Sequence, residues 1–513
     1  MEVKQSIPPI LRPDSVKPVS FLELASVFSL DYDGPSIEIT GISMNTADLR
    51  KGDLFVAMPG QKTHGANFAA KAIELGAVAI ITDAEGLQII GEVSVPVALL
   101  DKPRTHLGDL AAFVYGNTPG NLPTLFGTTG TNGKTSTTYL LEAVLRQLGK
   151  VTGLTSTAER HIAGEVIVSR LTTPESTEMQ ALIARMRERG VTDVAVEVSA
   201  QALTQLRVDG MIFDVAGFTN LSHDHLDDYA DFEEYLHAKA RLFFSDKCRQ
   251  AVVCLDTEYG DRIVKLAQVP VTTITSVAGV QADWKVTVTA ELPGRTEFEL
   301  EGPNGQKLLS SIPLLGSHMA LDAGLAIVMA VVAGNSFEAI AKAIERGIDA
   351  YLPGRTELVS PAGAPAVYVD FGHSPDAFLK TLAAVRKVTT GKLLMLFGAD
   401  GDRDASKRPE MARVAAAGCD ILVITDHHPR FEDPASIRAT LVNAAKEFRP
   451  ELEIHEVSPP EAAIRLSVSL VKPGDAILWA GPGHQDYRDI RGVRTPYSAR
   501  AEARAALKEQ GYR

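Results

Sequence analysis

Cysteine is scarce in this chain: Cys248, Cys254 and Cys419 are the only three in 513 residues, with no Cys-x-x-Cys pair. An odd, scattered set argues against a disulfide framework or a structural zinc and fits a reducing compartment. Aromatic residues are few as well, at 6%, so the cores must be aliphatic, which the 45% hydrophobic content allows. No apolar run approaches the ~18–20 residues needed to span a bilayer. Met1 to Ser20, with four prolines and mixed charge, lacks the apolar centre of a signal peptide. Excess positive charge is also missing. The formal net charge is −13, which disfavours nonspecific nucleic-acid binding and requires local Lys and Arg for any anionic substrate. A cytoplasmic enzyme is expected, with no nucleic acid, no membrane insertion and a monomeric state.

What is present is concentrated in Gly127-Thr128-Thr129-Gly130-Thr131-Asn132-Gly133-Lys134-Thr135. An apolar strand-like run, Leu122 to Phe126, precedes it, and a helix-like run, Thr137 to Gly149, follows. Small residues between a strand and a helix let backbone amides wrap a phosphate, while the lysine adds mobile positive charge. Thr135 offers a hydroxyl to Mg²⁺. The usual spacing would place glycine at 128, where this chain has threonine.

At ~100–200 residues per domain the chain should hold about three. Residues 1–121 alternate short strands (Asp53–Ala57, Ala77–Ile81, Val95–Leu100) with helices (Phe21–Phe28, Asn67–Leu75) and end in a turn-rich linker. Residues 122–352 carry the phosphate loop and apolar strands at Asp193–Val198, Val215–Thr219 and Ala251–Leu255. Residues 353–513 repeat the alternation, with strands at Ala366–Phe371, Lys392–Phe397, Asp420–Thr425 and Asp475–Ala480. Near-continuous apolar strands between helices predict parallel sheets covered on both faces, an α/β fold.

Polar clusters fall at the carboxyl ends of these strands, where α/β sheets hold ligands. Glu197, after Val194-Ala195-Val196, is a candidate Mg²⁺ ligand or a solvated strand-end acid. His223-Asp224-His225-Leu226-Asp227-Asp228 suits a metal or a helix cap. Lys239 sits in an otherwise apolar helix, a pattern usual for a surface charge. Pro353-Gly354-Arg355 and Val369-Asp370-Phe371 would close on a nucleotide from another domain. Gly398-Ala399-Asp400-Gly401-Asp402-Arg403-Asp404 is too polar and glycine-rich for a core.

In order, Thr131-Asn132-Gly133-Lys134-Thr135, Thr172-Thr173-Pro174-Glu175, Glu197-Val198-Ser199, Asn220-Leu221-Ser222 with Asp224-His225-Leu226-Asp227, Pro353-Gly354-Arg355, Asp402-Arg403-Asp404 and Gly483-His484 resemble the Mur ligase family, most closely its tripeptide-synthetase branch. The resemblance implies a P-loop ATPase-type central domain, a C-terminal Rossmann-like domain binding the incoming amino acid, and a smaller N-terminal domain binding UDP. It implies ATP-dependent addition of a third amino acid, a diamino acid such as meso-diaminopimelate or L-lysine or a substitute, to UDP-N-acetylmuramoyl-L-alanyl-D-glutamate through an acyl phosphate. By resemblance, Gly130, Thr131, Asn132, Gly133, Lys134, Thr135 and Ser136 hold ATP with Arg355 and Asp370. Thr135, Glu197, His225 and Lys239, the last as a carbamate, hold Mg²⁺. Thr46, Thr172, Thr173, Ser199, Gln205 and Arg207 contact the UDP-linked dipeptide, and Asp402, Arg403, His428, Arg430, Gly481 and Gln485 the amino acid.

Several positions depart from the family pattern. Gly316-Ser317-His318-Met319-Ala320-Leu321-Asp322 lacks both asparagines of G-x-[HF]-N-x-x-N, a segment placed near adenine. Ala200-Gln201 replaces Ser-His, and Asn45-Thr46-Ala47 replaces D-S-R. Diaminopimelate-adding members usually carry D-N-P-R and G-H-E; here the stretches are His427-His428-Pro429-Arg430 and Gly483-His484-Gln485. Arg430 keeps a carboxylate clamp, but the acid receiving a distal ammonium is gone, pointing to lysine, ornithine, diaminobutyrate or homoserine. Two alternatives stand beside this reading. A folylpolyglutamate synthetase shares G-T-N-G-K but has Gly-Ser next, where this chain has Thr135-Ser136, and no N-terminal UDP-type domain. A non-catalytic paralogue would have no need of Lys134, Glu197, His225, Lys239 and Arg355.

Overall fold

The computed structural model describes residues 10–60, 62–222 and 229–512. Three α/β units follow one another, each around its own sheet. The first is a four-stranded parallel sheet of Gly41–Ser43, Asp53–Ala57, Ala79–Thr82 and Val97–Leu99. Every residue of Asp53–Ala57 and Ala79–Thr82 is buried, as expected of strands covered on both faces. The N-terminal arm is pinned by Arg12, whose guanidinium donates to both oxygens of buried Asp53 at 2.6 and 2.8 Å. Helix Pro103–Val114 leads out of this unit, and Ala181 and Ala184 of the next unit complete its core.

The central sheet has eleven strands. The phosphate-loop strand Thr124–Thr129 lies between Asp193–Glu197 and Phe213–Phe218, and the pairing is parallel from Thr152–Thr155 across to Trp284–Leu292. The expected parallel sheet is therefore extended by antiparallel edges. A hairpin of Glu159–Ile162 and Glu165–Val168 closes one side, and Arg295–Glu301 with Lys307–Ile312 the other. Helices Lys134–Gln147 and Ser317–Val332 share a core on one face. Ser317–Val332 is apolar nearly all round because strands and helices enclose it.

The third sheet has the order Glu357–Leu358, Ala366–Asp370, Ala476–Ala480, Leu393–Phe397, Ile421–Ile424, Glu453–Glu456, parallel except at its first strand. Ala476–Ala480, last of the six in sequence, slots between the second and third. The loops after Asp370, Phe397 and Ala480 thus emerge side by side at the carboxyl edge, where the strand order reverses and ligands are held. Among the described residues no helix is long and apolar enough to cross a membrane.

Candidate active site

Thr128 is buried inside its strand, so the turn starts two residues later, at Gly130. Gly133 begins the helix at φ 85°, and a Cβ there would lie 2.5 Å from Asp322 Oδ1, so only glycine passes. The loop presents the amino end of helix Lys134–Gln147, unpaired amides together with the positive end of its dipole. Lys134 Nζ donates to the carbonyls of Gly130 (3.0 Å) and Thr131 (2.8 Å) and stays over the loop.

Glu197, at the end of the neighbouring strand, is no solvated acid. It is buried and accepts from Thr135 Oγ1 (3.0 Å), Thr157 N (2.9 Å) and Thr157 Oγ1 (3.0 Å). A hydroxyl beside a carboxylate is an all-oxygen donor set that suits a hard divalent cation. Lys239 is no surface charge: it is 1% exposed, donates to the Gly130 carbonyl at 2.7 Å and lies 4.4 Å from the Tyr235 ring centre. A buried ammonium at the phosphate loop fits a modified or anion-facing lysine better than a solubilising one. His225, expected to hold metal, lies outside the described residues.

The C-terminal unit brings Arg355 onto this loop. Its guanidinium donates to Thr135 Oγ1 at 2.9 Å and sits 4.3 Å from the Phe371 ring centre. Burial lowers its pKa, partly offset by Asp370 and Glu197. An arginine so desolvated gains from a bound anion. Asp370, expected to hold ATP, is buried and accepts from Thr356 N and Gly372 N, both at 2.7 Å, which fixes the orientation of its carboxylate. Asn132 Nδ2 meets Asp376 Oδ2 at 3.0 Å, which ties the phosphate loop to the third unit.

A cavity of about 420 Å³ runs between the two units. Thr131 to Ser136, Thr172, Glu197, Ser199, Arg207, Arg355, Asp370, Arg403, Arg430, Gly481 and Gln485 all line it. His318, Met319, Asp322 and Lys380 line it too. Desolvation pushes the carboxyl of Asp322 well above its usual range and holds His318 down at about 4, which favours the neutral form of both.

Other expected residues stand apart. Thr173 is buried and bridges the Glu197 carbonyl and the Ser199 amide, at 2.8 and 3.1 Å. Gln205 pairs with Arg207 at 2.7 Å, and Glu175 gathers both Arg207 (2.9 Å) and Arg104 (2.8 Å) of the first unit. Thr46 is half-buried in the first unit, two residues before Asp48, which pairs with Arg170 at 2.8 Å. Asp402, at φ 51°, accepts from Phe431 N at 3.1 Å and shapes a turn. His428 is buried behind Gln485. Sequence reasoning missed Thr157, which no motif marks. It also missed Lys380, which pairs at i,i+4 with Asp376, the residue that ends the polar run Val369 to Asp376 after the third unit's strand.

Comparison with known proteins decides the family. The chain matches the Mur ligase family catalytic domain over residues 38–115, the Mur ligase middle domain over 128–330 and the Mur ligase glutamate ligase domain over 354–483. The chain belongs to the Mur ligase family. A UDP-N-acetylmuramyl-tripeptide synthetase of Leifsonia xyli subsp. xyli is 52% identical, over 98% of this chain and 99% of that protein. A UDP-N-acetylmuramoyl-L-alanyl-D-glutamate--2,6-diaminopimelate ligase of Streptomyces avermitilis is 41% identical, over 97% and 98%. A solved structure titled as the latter ligase superposes with TM-score 0.68 at 27% identity, covering 97% of this chain and all of that one. As a Mur ligase the protein is an ATP-dependent amide ligase of peptidoglycan precursor synthesis. The match over 38–115 supplies the first domain that the folylpolyglutamate synthetase alternative lacks.

Proposed function

We propose that this Mur ligase adds the third amino acid to UDP-N-acetylmuramoyl-L-alanyl-D-glutamate, coupling the new amide to cleavage of ATP to ADP and phosphate. The observation that carries the reading is the convergence of Lys134, Thr135, Glu197 and Arg355, from two units, on one cavity that continues to the Arg403, Arg430 and Gln485 loops. A carboxylate is a poor electrophile. Its oxygen attacks the γ-phosphorus and ADP leaves; the amine then attacks the acyl carbon, phosphate departs and the ammonium-derived proton is lost. Both steps need positive charge fixed beforehand around the transferring group. Lys134, the loop amides and Arg355 supply it. Thr135 and Glu197 fit Mg²⁺, with Lys239 and His225 assigned by resemblance; the ion would neutralise phosphate charge when bound. Thr157 holds the Glu197 carboxylate in one orientation. Arg104, Glu175 and Arg207, linked between the first and second units, position the muramoyl dipeptide, with Thr172 and Ser199 nearer the reacting end.

The test is phosphate release by the purified chain with ATP, Mg²⁺, the UDP-linked dipeptide and single amino acids. Release that requires all components supports the proposal; release indifferent to the dipeptide overturns it.

A further inference from the structure

The loops at the far end of the cavity hold a charge arrangement that differs from the one their motifs lead one to expect. Gln485 stands where an acid would receive a distal ammonium. Its Oε1 is already taken, because it lies 2.8 Å from His428 Nε2. His428 Nδ1 accepts from the Asp489 amide at 2.9 Å, so Nδ1 carries no proton and Nε2–H donates to Gln485. Neither imidazole nitrogen of His428 is left for a metal, although its ring, His427 and Asp400 bring ligand atoms within 4.8 Å of one another.

Asp400 is the acid that remains. It lines the cavity, and its Oδ1 is buried with no hydrogen-bond partner among the described residues. Its neighbours at 3.5 Å are His427 Nε2, on the Oδ1 side, and Arg430 Nη2, on the Oδ2 side. Burial lowers the His427 pKa to about 3, so that ring is neutral and does not compensate a carboxylate. Burial alone would raise Asp400, but the guanidinium of Arg430 opposes it and the carboxyl is held below its ordinary value. An ionised, poorly satisfied carboxylate in a ligand cavity calls for a cation. Arg430 is drawn toward Asp400, which weakens it as a clamp for a distal carboxylate, and such a carboxylate would stand beside a like charge.

The geometry points to Asp400 as the residue that selects the incoming amino acid, and to an L-diamino monocarboxylic acid whose distal ammonium it receives. In this pocket the acid stands at position 400, while position 485 carries a neutral amide. Arg403, which also lines the cavity, then serves the single carboxylate. This deepens the ligase reading and rests on it.

The experiment separates the two. Hydroxylamine trapping of the acyl phosphate with ATP and UDP-N-acetylmuramoyl-L-alanyl-D-glutamate reports the ligase chemistry without any amino acid; if no hydroxamate forms, the ligase reading fails and the assignment falls with it. With trapping positive, kcat/KM is measured for 2,4-diaminobutyrate, ornithine, lysine, meso-diaminopimelate and homoserine. At least one diamino monoacid should exceed both diaminopimelate and homoserine about tenfold. Asp400→Asn should lower kcat/KM for that amino acid about 30-fold, mostly through KM, as expected when one partner of a desolvated charge pair is removed. Homoserine should change less than about threefold, as an uncharged side chain escapes the charge coupling. Adding Gln485→Glu to Asp400→Asn should recover part of the loss. Preference for diaminopimelate or homoserine by the unmodified protein overturns the assignment, a comparison that needs no variant to fold. Equal losses on homoserine and the diamino acid overturn it too.

Discussion

Single side chains at the phosphate loop have separable jobs. Lys134 is held over the loop by two carbonyls, so Lys134→Ala removes a fixed charge without emptying a core. Its kcat in the phosphate-release assay should fall about 10²–10³-fold, the usual cost of deleting one preorganised electrostatic partner. Thr157 acts through Glu197, to which it donates twice. Thr157→Val should raise the Mg²⁺ concentration for half-maximal activity about tenfold, as loss of a supporting hydrogen bond does at metal sites, with little change in melting temperature. The phosphate loop and Glu197 were legible because backbone cradles and strand-end acids leave a local pattern. Thr157 was not, since its value comes from a partner 40 residues away. Lys239 showed the opposite failure: helical spacing suggested exposure, and only the tertiary packing of its helix under Gly130 buries it.

At the level of elements, strand starts and ends fell within a few residues of expectation for the apolar parallel strands read from the sequence, whereas the short or polar parallel strands Gly41–Ser43, Thr152–Thr155, Val271–Thr275 and Glu453–Glu456 were not read. The antiparallel edges escaped notice. Trp284–Leu292 and Arg295–Glu301 alternate buried and exposed residues and are rich in charge, so their half-buried pattern carries less signal. One edge hairpin has a measurable electrostatic signature. His161 lies 3.4 Å from Glu142 and 3.3 Å from Glu159. Burial opposes its protonation, but the hydrogen bonds and charges of the two glutamates prevail and raise it to about 9. A raised folded pKa means the stabilisation is fully present below the unfolded value of ~6.5 and disappears as pH climbs through about 9. His161→Gln should therefore melt lower than the parent at pH 6 and approach it at pH 10. A constant gap across that range would contradict the ion-pair account. The connection into the third unit is as exacting. Gly354 sits at φ 64°, and a Cβ there would lie 2.0 Å from Gly483 C. Gly354→Ala should cost at least about 1–2 kcal/mol from left-handed backbone strain, read as a lower melting temperature, and should displace Arg355, raising the KM for ATP.

On the scale of the whole molecule, the three-unit order was legible from turn-rich junctions and repeated strand–helix alternation. How the units lean on one another was not, because those contacts are made by lone charged residues far apart in sequence. Arg170 with Asp48 and Arg104 with Glu175 join the first two units, and Asn132 with Asp376 joins the second and third. Arg170→Ala should raise the KM for the UDP-linked dipeptide several-fold and leave that for ATP unchanged, since the pair lies away from the phosphate loop. Steady-state kinetics with each substrate varied in turn would show whether the effect is confined in this way.

The Asn132 contact has a thermodynamic corollary. The loop proposed to grip a triphosphate tail also holds the third unit, so one contact serves both. Coupling of this kind is mutual: cutting the tether with Asp376→Ala should weaken nucleotide binding, read by calorimetry, and loosen the docking of the third unit, read by small-angle scattering.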